Sequence, residues 1–371
     1  MSLRIAGMGW VTPLGRGVDN VWERLLRGDE AIGQTVSRED GKETFPVFLV
    51  PKQELKSLPP HSRLRRASAI SQFGAAAGLD AMENARALIG EIDLKRTALI
   101  FAVSNGGVIY TKRFYHDVIV SGAQAARPLL FPETVFNAPA SHLAAILGLT
   151  GASYTLVGDG AVGTLALKMA ADLIESGQID SCLVVGAEEA DWLLCDAYRR
   201  WRLLKPQPPI DLFRRPPRGM IPSEGAGAIL LGREGKVGIE QVHSGGIFWR
   251  RQQATKLIAQ VISDLSEAKA NLFVGSANGT FIDLAESSAM AKIVPRMSIY
   301  SCKPALGESV GASAIWQVIV AAQSLATGKV PPLLHLEESN PLTRQHPQQP
   351  NGAIVLSCGM NQQVAGARLA I

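Results

Sequence analysis

A segment in the middle of the chain, residues 151–177, most strongly constrains how it can fold. Its sequence is GASYTLVGDGAVGTLALKMAADLIESG. Residues 154–157 are apolar and partly β-branched, which predicts a short buried strand. A Gly-Asp-Gly turn follows at 158–160, apolar residues then recur at helical spacing over 165–174, and Gly177 is placed to end the helix. The segment therefore predicts a strand, a tight turn and a helix.

The turn at residues 158–160 is the place in this segment where chemistry would be expected. A helix N-terminus presents free N–H groups and a partial positive charge. Many enzymes place a nucleophile or an anion at such a point. Neither Asp159 nor Gly160 is an obvious nucleophile. The simpler interpretation is that Asp159 caps a buried helix.

Composition excludes several classes of function. The chain has 371 residues, of which 47% are hydrophobic and 19% charged, and this is typical of a compact protein. The net charge of +4 is too small to indicate nucleic-acid binding, and no apolar run is long enough to span a membrane. The four cysteines and six histidines show no metal-ligand spacing. We therefore expect free thiols, no metal, no cofactor and, without a signal peptide, a cytoplasmic location.

The chain also contains a weak internal repeat. The segments LIFAVSNGG (99–107) and LFVGSANGT (272–280) are both apolar strands that run into Ser, Asn and Gly. A second glycine turn followed by a helical pattern occurs at 307–328. These echoes predict an α/β fold made of two similar βαβ-rich halves, residues 1–234 and 235–371.

Five segments, in the same order along the chain, resemble the β-ketoacyl-ACP synthase (ketosynthase) family of the thiolase-like fold. They are IAGMGWVTPLG (5–15), LRRASAISQFGAAAGLDAMENA (64–85), GASYTLVGDGAVG (151–163), IDSCLVVGAEEA (179–190) and RGMIPSEGAGAILL (218–231). The resemblance implies a five-layer αβαβα structure with two pseudo-repeated halves, usually paired as a dimer. It also implies that an active member joins a malonyl-carrier unit to an acyl chain held on a cysteine, assisted by two histidines and a lysine.

Residue by residue, the resemblance implies a degenerate catalytic centre. The cysteine position falls on Gly160, the two histidine positions fall on Asn278 and Glu308, and the lysine is retained as Lys303. Glycine has no side chain, so no acyl-enzyme can form there. An ionised Glu308 would repel an oxyanion, and the simpler interpretation is that it pairs with Lys303. We therefore assign no catalytic residue and expect the chain alone to be inactive as an acyltransferase in condensation.

The resemblance also indicates an altered acyl pocket. Cys358, Gly359 and Met360 match the late glycine-rich loop of the family, which borders the acyl pocket. The chain is shorter than typical members, and the missing residues fall between Gly235 and Lys256. Active enzymes carry covering structure there, so a normal acyl pocket is not expected.

Two groups of arginines are candidates for binding a partner. Arg63, Arg65 and Arg66 fall where family members dock an acyl carrier protein, and a basic patch steers an acidic carrier. A solvated basic surface is an equally good interpretation of this group. The second basic run, within residues 199–218, is better explained as a solvated surface.

These observations favour a non-condensing subunit of the chain-length-factor type. Such proteins resemble ketosynthases, lack the cysteine and pair with an active ketosynthase in fatty acid, polyketide or polyene biosynthesis. The expected partners are that ketosynthase, as a heterodimer, and an acyl carrier protein, and a homodimer is the weaker alternative. Pairing would use the apolar strand at 154–157 or the one at 181–186, because an exposed apolar edge favours association.

Three alternatives stay open at the level of sequence. The first is an enzyme of altered chemistry that uses Lys303, Glu308, Asn278 or Asp159 on acyl-ACP or acyl-CoA. The second is a homodimeric protein that binds an acyl chain or an acyl carrier. The third is a hydrolase with Ser309 as nucleophile, because residues 307–311 match the GxSxG motif, although the proline-bearing segment before them is a poor strand.

Overall fold

The structure, a computed structural model, describes residues 3–267, 270–293, 297–336 and 349–371. These ranges contain thirteen strands and ten α-helices. The strands are β1 (Leu3–Thr12), β2 (Gly15–Arg16), β3 (Gln34–Ser37), β4 (Thr44–Val47), β5 (Thr97–Val103), β6 (Ser153–Val157), β7 (Ser181–Glu188), β8 (Gly225–Gly232), β9 (Val237–Ile247), β10 (Leu272–Val274), β11 (Ser298–Tyr300), β12 (Gly352–Cys358) and β13 (Gln363–Ala370). The helices are α1 (Val18–Leu26), α2 (Ala69–Ile89), α3 (Val108–Ser121), α4 (Ala138–Leu147), α5 (Val162–Glu175), α6 (Trp192–Arg200), α7 (Arg251–Leu265), α8 (Phe281–Ile293), α9 (Lys303–Leu306) and α10 (Ser313–Thr327).

Eleven of the strands form one sheet. Ten of them lie in the order β11-β10-β12-β13-β9-β1-β8-β7-β5-β6, and β2 pairs with β1. The strands β5, β6 and β7 run parallel, whereas β1 pairs antiparallel with both β8 and β9 at the centre. The centre of the sheet therefore joins the strands of the first half of the chain to those of the second. The strands β3 and β4 form a separate hairpin.

The helices α5 and α10 pack between the two parts of the sheet. The interior of α5 lies so close to α10 that a Cβ on Gly163 would be 2.9 Å from the Cβ of Ala314. The helix α5 contacts β5 and β7 on one side and β9 and β13 on the other. The helix α2 covers the outer face of β1 and β8, and α7 covers that of β12 and β13. The expected thiolase-like αβαβα layering is therefore present.

The position of β6 differs from the expectation of a buried strand. It pairs with β5 on one side and forms the edge of the sheet. Tyr154 is therefore 38% exposed and Val157 is 53% exposed. An apolar five-residue run does not by itself distinguish an interior strand from an edge strand. Of the two segments suggested for pairing, β7 lies inside the sheet between β5 and β8. Only β6 of the two offers a free edge.

Other predicted boundaries need small corrections. The alanine-rich pattern from Arg66 to Ile89 predicts a helix, but α2 begins at Ala69, because the N–H and hydroxyl of Ser68 both donate to the buried carboxylate of Glu133. The apolar pattern from Ile221 to Leu231 predicts a strand, but β8 begins at Gly225, because the backbones of Ile221 and Ser223 bond instead to that of Glu308. The mixed, proline-bearing sequence of residues 35–62 predicts a loop, but it contains most of the β3–β4 hairpin.

Within the described residues, no helix is both long enough and apolar enough to cross a membrane.

Candidate functional site

The tip of α5 carries Gly160, at the centre of the candidate site. The preceding turn is anchored where the N–H of Gly158 donates to the carbonyl of Val103, at the end of β5, over 3.1 Å. A Cβ on Gly160 would lie 3.2 Å from the Cα of Gly359 and 3.4 Å from the carbonyl oxygen of Cys358. The backbone of the loop after β12 therefore fills the space in front of this position.

Asp159 holds that loop rather than capping α5 in the expected way. Its Oδ2 accepts the N–H of Asn361 at 2.9 Å, whereas its Oδ1 lies 3.5 Å from the N–H of Ala161. A Cβ on Gly359 would lie 1.9 Å from Asp159 Oδ2, so a side chain there would displace the carboxylate. Burial raises the pKa of the Asp159 carboxyl, and the nearby carboxylate of Glu308 adds to the effect. The helix tip and the loop thus form one closely packed unit.

Lys303, Glu308 and Asn278 form a buried network. The Nζ of Lys303 donates to Oε2 of Glu308 at 2.5 Å, and the Nδ2 of Asn278 donates to the same oxygen at 2.7 Å. The three side chains are no more than 3% exposed. The pairing of Lys303 with Glu308 near Asn278 that the sequence predicts is therefore present. Two donors converge on one carboxylate oxygen, which compensates its charge in the interior.

The backbone fixes Glu308 in place. Its N–H donates to the carbonyl of Ile221, and its carbonyl accepts the N–H of Ser223, both at 2.9 Å. Gly307 before it has φ +81°, and a Cβ there would lie 2.7 Å from the Cβ of Ser223. The turn after α9 therefore requires glycine, and it delivers the Glu308 carboxylate to Lys303.

Asn278 is held by side chains that sequence analysis missed. Asp283 Oδ1 accepts the N–H groups of Asn278 and Gly279 at 2.8 and 2.9 Å, and Asn278 Oδ1 accepts the hydroxyl of Thr280 at 2.6 Å. One turn on, Glu286 accepts the N–H groups of Ser276 and Ala277. Burial raises the pKa of Asp283 to about 6 and that of Glu286 to about 8. The sequence signal for this arrangement is a pair of carboxylates, Asp283 and Glu286, three residues apart near the start of a helix.

The four cysteines are placed as buried thiols. All four are free and buried. Burial raises the pKa of Cys302 and of Cys195 to about 12, and it raises that of Cys358 well above its usual value. The thiolate is the nucleophilic form, so these thiols are poor nucleophiles at neutral pH.

The local structure at Ser309 is not that of a hydrolase. The helix α9 and Gly307 precede it, whereas a nucleophile elbow requires a strand directly before the serine. Ser309 is fully buried, and its hydroxyl has no hydrogen-bond partner among the described residues. A serine nucleophile needs a base within hydrogen-bond reach.

The two arginine groups differ in their surroundings. Arg63, Arg65 and Arg66 are exposed in turns just before α2 rather than at its start, and Arg65 borders an apolar groove of about 410 Å³. In the second run, Arg199 pairs with Glu43 and Asp196, and Arg200 also pairs with Asp196. Part of the second run is thus neutralised within the chain.

An open cleft of about 690 Å³ lies beside the network but does not reach it. It is lined by Asp159 and Met360, and by aromatic residues that sequence analysis did not single out. Gly160, Asn278, Lys303 and Glu308 are not among the described residues that line it. The residues lining it are Ser104, Asn105, Gly158, Asp159, Leu194, Ala197, Tyr198, Trp201, Leu203, Ile247, Phe248, Trp249, Arg251, Val310, Met360, Asn361, Gln362 and Gln363.

The implied acyl-pocket loop is thus split between the cleft and the core. Met360 lines the cleft, whereas Cys358 is 2% exposed and its N–H donates to the hydroxyl of Ser276 at 2.8 Å. Gly359 packs against both Asp159 and Gly160.

The described ranges contain no group of three His, Cys, Asp or Glu side chains placed to hold a metal ion.

Similarity to known proteins is low in identity and extends along the chain. A 3-oxoacyl-(acyl-carrier-protein) synthase 2 of Vibrio cholerae is 26% identical over 188 residues, which cover 50% of this chain and 45% of that protein. The chain thus matches about half the length of that relative. The synthase 2 of Synechocystis is 22% identical over 371 aligned residues, which cover 91% of this chain and 88% of that protein.

Solved structures share the fold at still lower identity. A structure described as the ishigamide ketosynthase/chain length factor has a TM-score of 0.86 at 19% identity, covering 100% of this chain and 98% of that one. A ketosynthase in complex with its chain length factor from Xenorhabdus doucetiae has a TM-score of 0.81 at 17% identity, covering 100% and 98%.

Family models match both parts of the chain. The model of the β-ketoacyl synthase N-terminal domain matches residues 2–236, and that of the C-terminal domain matches residues 241–337. The N-terminal match precedes the C-terminal one along the chain, and residues 338–371 follow the second match. The layered fold and the glycine-tipped central helix thus belong to a member of the β-ketoacyl synthase family.

Proposed function

We propose that this chain is a non-condensing subunit of the chain-length-factor type, which pairs with an active ketosynthase in fatty acid or polyketide biosynthesis. The observation that carries the proposal is Gly160 at the tip of α5, packed against the backbone of Gly359. Condensation in this family depends on a thiol at that point. Here there is no side chain, and the backbone of Gly359 would have to shift by a few tenths of an ångström to admit one.

The buried network supports the same conclusion. Decarboxylation and oxyanion stabilisation need donors aimed at the reacting oxygen. Lys303 and Asn278 both direct their donors to Glu308 instead, and the carboxylate would repel a developing negative charge. The network therefore stabilises the fold.

The alternative of an enzyme with altered chemistry at this network is disfavoured. Lys303, Glu308 and Asn278 are all buried, and none of them lines the cleft.

The exposed apolar surface supports pairing with another subunit. Besides Tyr154 and Val157 on β6, the helix α3 and the segment after it expose Ile119 (80%), Val120 (68%) and Leu129 (69%). Large exposed apolar side chains favour association, and a free strand edge invites pairing. A chain without a nucleophile gains a role in acyl chemistry when its partner supplies one, so a heterodimer is favoured over a homodimer.

Carrier docking is proposed at the turns before α2. Arg63, Arg65 and Arg66 are exposed, and Arg65 borders the groove of about 410 Å³, whose walls include Leu55 and Leu58. A positive rim beside an apolar groove is complementary to an acidic amphipathic surface such as that of an acyl carrier protein.

The division of the chain into two halves, residues 1–234 and 235–371, remains our proposal.

Co-expression tests the proposal. The chain is tagged and produced with a cysteine-bearing ketosynthase from the same gene neighbourhood, and the purified material is examined by gel filtration and product analysis. We expect a stable one-to-one complex, whose product lengths change when the chain is omitted. A stable homodimer that binds no ketosynthase and alters no product length would contradict the proposal.

A further inference from the structure

The cleft of about 690 Å³ is a separate site rather than an entrance to the buried network. Its volume lies within the range of small-molecule sites in proteins, roughly 300–1,000 Å³. Asp159 and the loop that it holds line the cleft, whereas Lys303, Asn278 and Glu308 do not. A molecule in this cleft therefore meets two charged side chains, Asp159 and Arg251.

Aromatic side chains form much of the wall. Trp201 is 54% exposed and Trp249 is 76% exposed, and both line the cleft. The ring of Trp201 is packed edge-on against Tyr198, with centroids 6.2 Å apart. The N–H of Trp249 donates to Oε1 of Gln253 at 2.9 Å, which fixes the backbone just before α7. Two exposed indoles on anchored backbone are costly to leave in water, so they indicate a ligand with apolar surface.

Asp159 is the one carboxylate among the described residues that line the cleft. All the hydrogen bonds of its carboxylate are accepted from backbone N–H groups, and within the described ranges no Lys, Arg or His forms an ion pair with it. Arg251 also lines the cleft, but its guanidinium lies 4.8 Å over the ring of Phe281 and donates to the carbonyl of Trp201 at 3.5 Å. The described part of the chain therefore provides no ion-pair partner for the Asp159 carboxylate.

We propose that the cleft binds an organic cation, an amine or quaternary ammonium with an apolar portion, whose charge lies at Asp159 and whose apolar portion packs on Trp201 and Trp249. Aromatic faces attract such cations electrostatically, and a carboxylate beside them adds a direct charge contact. This site goes beyond the proposed pairing function and does not depend on a partner ketosynthase. Binding to the isolated chain is therefore a sufficient test.

Calorimetric titration of the full chain measures whether the cleft binds a cationic probe more tightly than an anionic or a neutral one. Three probes of similar size are compared: 3-phenylpropyl-trimethylammonium, the carboxylate 4-phenylbutanoate and the alcohol 4-phenylbutan-1-ol. We expect the ammonium probe to bind at least about tenfold more tightly than the other two, because it alone pairs with Asp159. Equal or tighter binding of the carboxylate or the alcohol, or no binding of any probe, would overturn the proposal.

Two substitutions and a matched control locate the site. Asp159→Asn keeps an acceptor for Asn361 and should remove the preference for the ammonium probe while leaving binding of the alcohol unchanged. Asp172→Asn, on the same helix but exposed and paired with Lys168, should change nothing. Trp249→Ala, at an exposed position that folding tolerates, should weaken ammonium binding roughly 3- to 10-fold. Unchanged binding in Trp249→Ala would overturn the proposal even if Asp159→Asn failed to fold.

Discussion

Gly160 and Gly359 lie against each other at the tip of α5, so close that a Cβ on the first would be 3.2 Å from the Cα of the second. Asp159 secures the contact, because its carboxylate occupies the space that a side chain on Gly359 would need. Backbone therefore crowds the position that the family resemblance assigns to the nucleophile. Restoring a thiol would require the loop after β12 to move.

The first prediction concerns the ion pair of Lys303 and Glu308. Glu308→Ala should lower the free energy of unfolding by about 3–5 kcal/mol, because it strands the buried ammonium and the Asn278 amide. Denaturant titration measures this loss. In a double-mutant cycle with Lys303→Met, the two losses should be strongly non-additive.

The matched control is the exposed pair of Lys168 and Asp172 on α5. A cycle on that pair should give a coupling of about 0.3–0.5 kcal/mol, as for other surface pairs on helices. A coupling between Lys303 and Glu308 no larger than this would show that the buried network does not stabilise the fold.

The second prediction concerns pH and Glu224. Burial raises the pKa of Glu224 to about 8, and the same cause raises that of Glu188 to about 8 and that of Glu189 to about 7. Between the ordinary glutamate pKa and these values, the unfolded chain loses protons that the folded chain keeps. Stability should therefore fall as pH rises from about 5 to about 8, by at most about 1.4 kcal/mol per pH unit for each group.

Glu224→Gln removes one of these titrations, because the amide carries no charge. The variant should show a shallower loss of stability over the same pH range, measured by denaturant titration at each pH. Glu175→Gln, at an exposed position at the end of α5, is the control and should leave the slope unchanged. A slope in Glu224→Gln identical to that of the unaltered chain would refute the assignment.

The third prediction concerns the free edge of the sheet. Val157→Lys places a charge on β6 and should abolish association with the proposed partner subunit, because an edge lysine opposes strand pairing. Val157 is 53% exposed, so the melting temperature of the isolated chain should change little. Light scattering after gel filtration reports the association. Ile32→Lys is the control, since Ile32 is 82% exposed elsewhere and its substitution should leave the complex intact.

The fourth prediction concerns the arginines before α2. Replacing Arg63, Arg65 and Arg66 together with glutamate should weaken binding of the acidic acyl carrier protein roughly tenfold or more at low salt, because like charges then face each other. The effect should shrink as ionic strength rises. Arg215→Glu, in the second basic run, serves as the control. Equal weakening by the control would show that the interaction is non-specific.

Much of the central architecture could be predicted from local sequence. The strand, turn and helix of residues 151–177 follow from apolar spacing and glycine placement, and the structure contains β6, the turn and α5. The pairing of Lys303 with Glu308 was also predictable, because a buried carboxylate beside a retained lysine needs a partner. These features depend on residues close together in the chain.

The features that sequence did not predict depend on distant contacts. Asp159 bonds to Asn361, 202 positions later, so capping statistics pointed to the wrong partner. The exposure of β6 depends on its place in the strand order, which an apolar run does not encode. The cleft brings Trp201 and Trp249 to Asp159 from three separate segments, and no local pattern marks such a convergence.

The most direct test of the non-condensing role is intact-mass analysis of the complex after incubation with an acyl donor. We expect the acyl group on the partner ketosynthase and none on this chain. The variant Gly160→Cys should likewise gain no condensing activity when tested alone, because Asn278 and Glu308 still occupy the positions that the resemblance assigns to the histidines. A stable acyl adduct on this chain, mapped by peptide analysis to residues 151–177, would contradict the account.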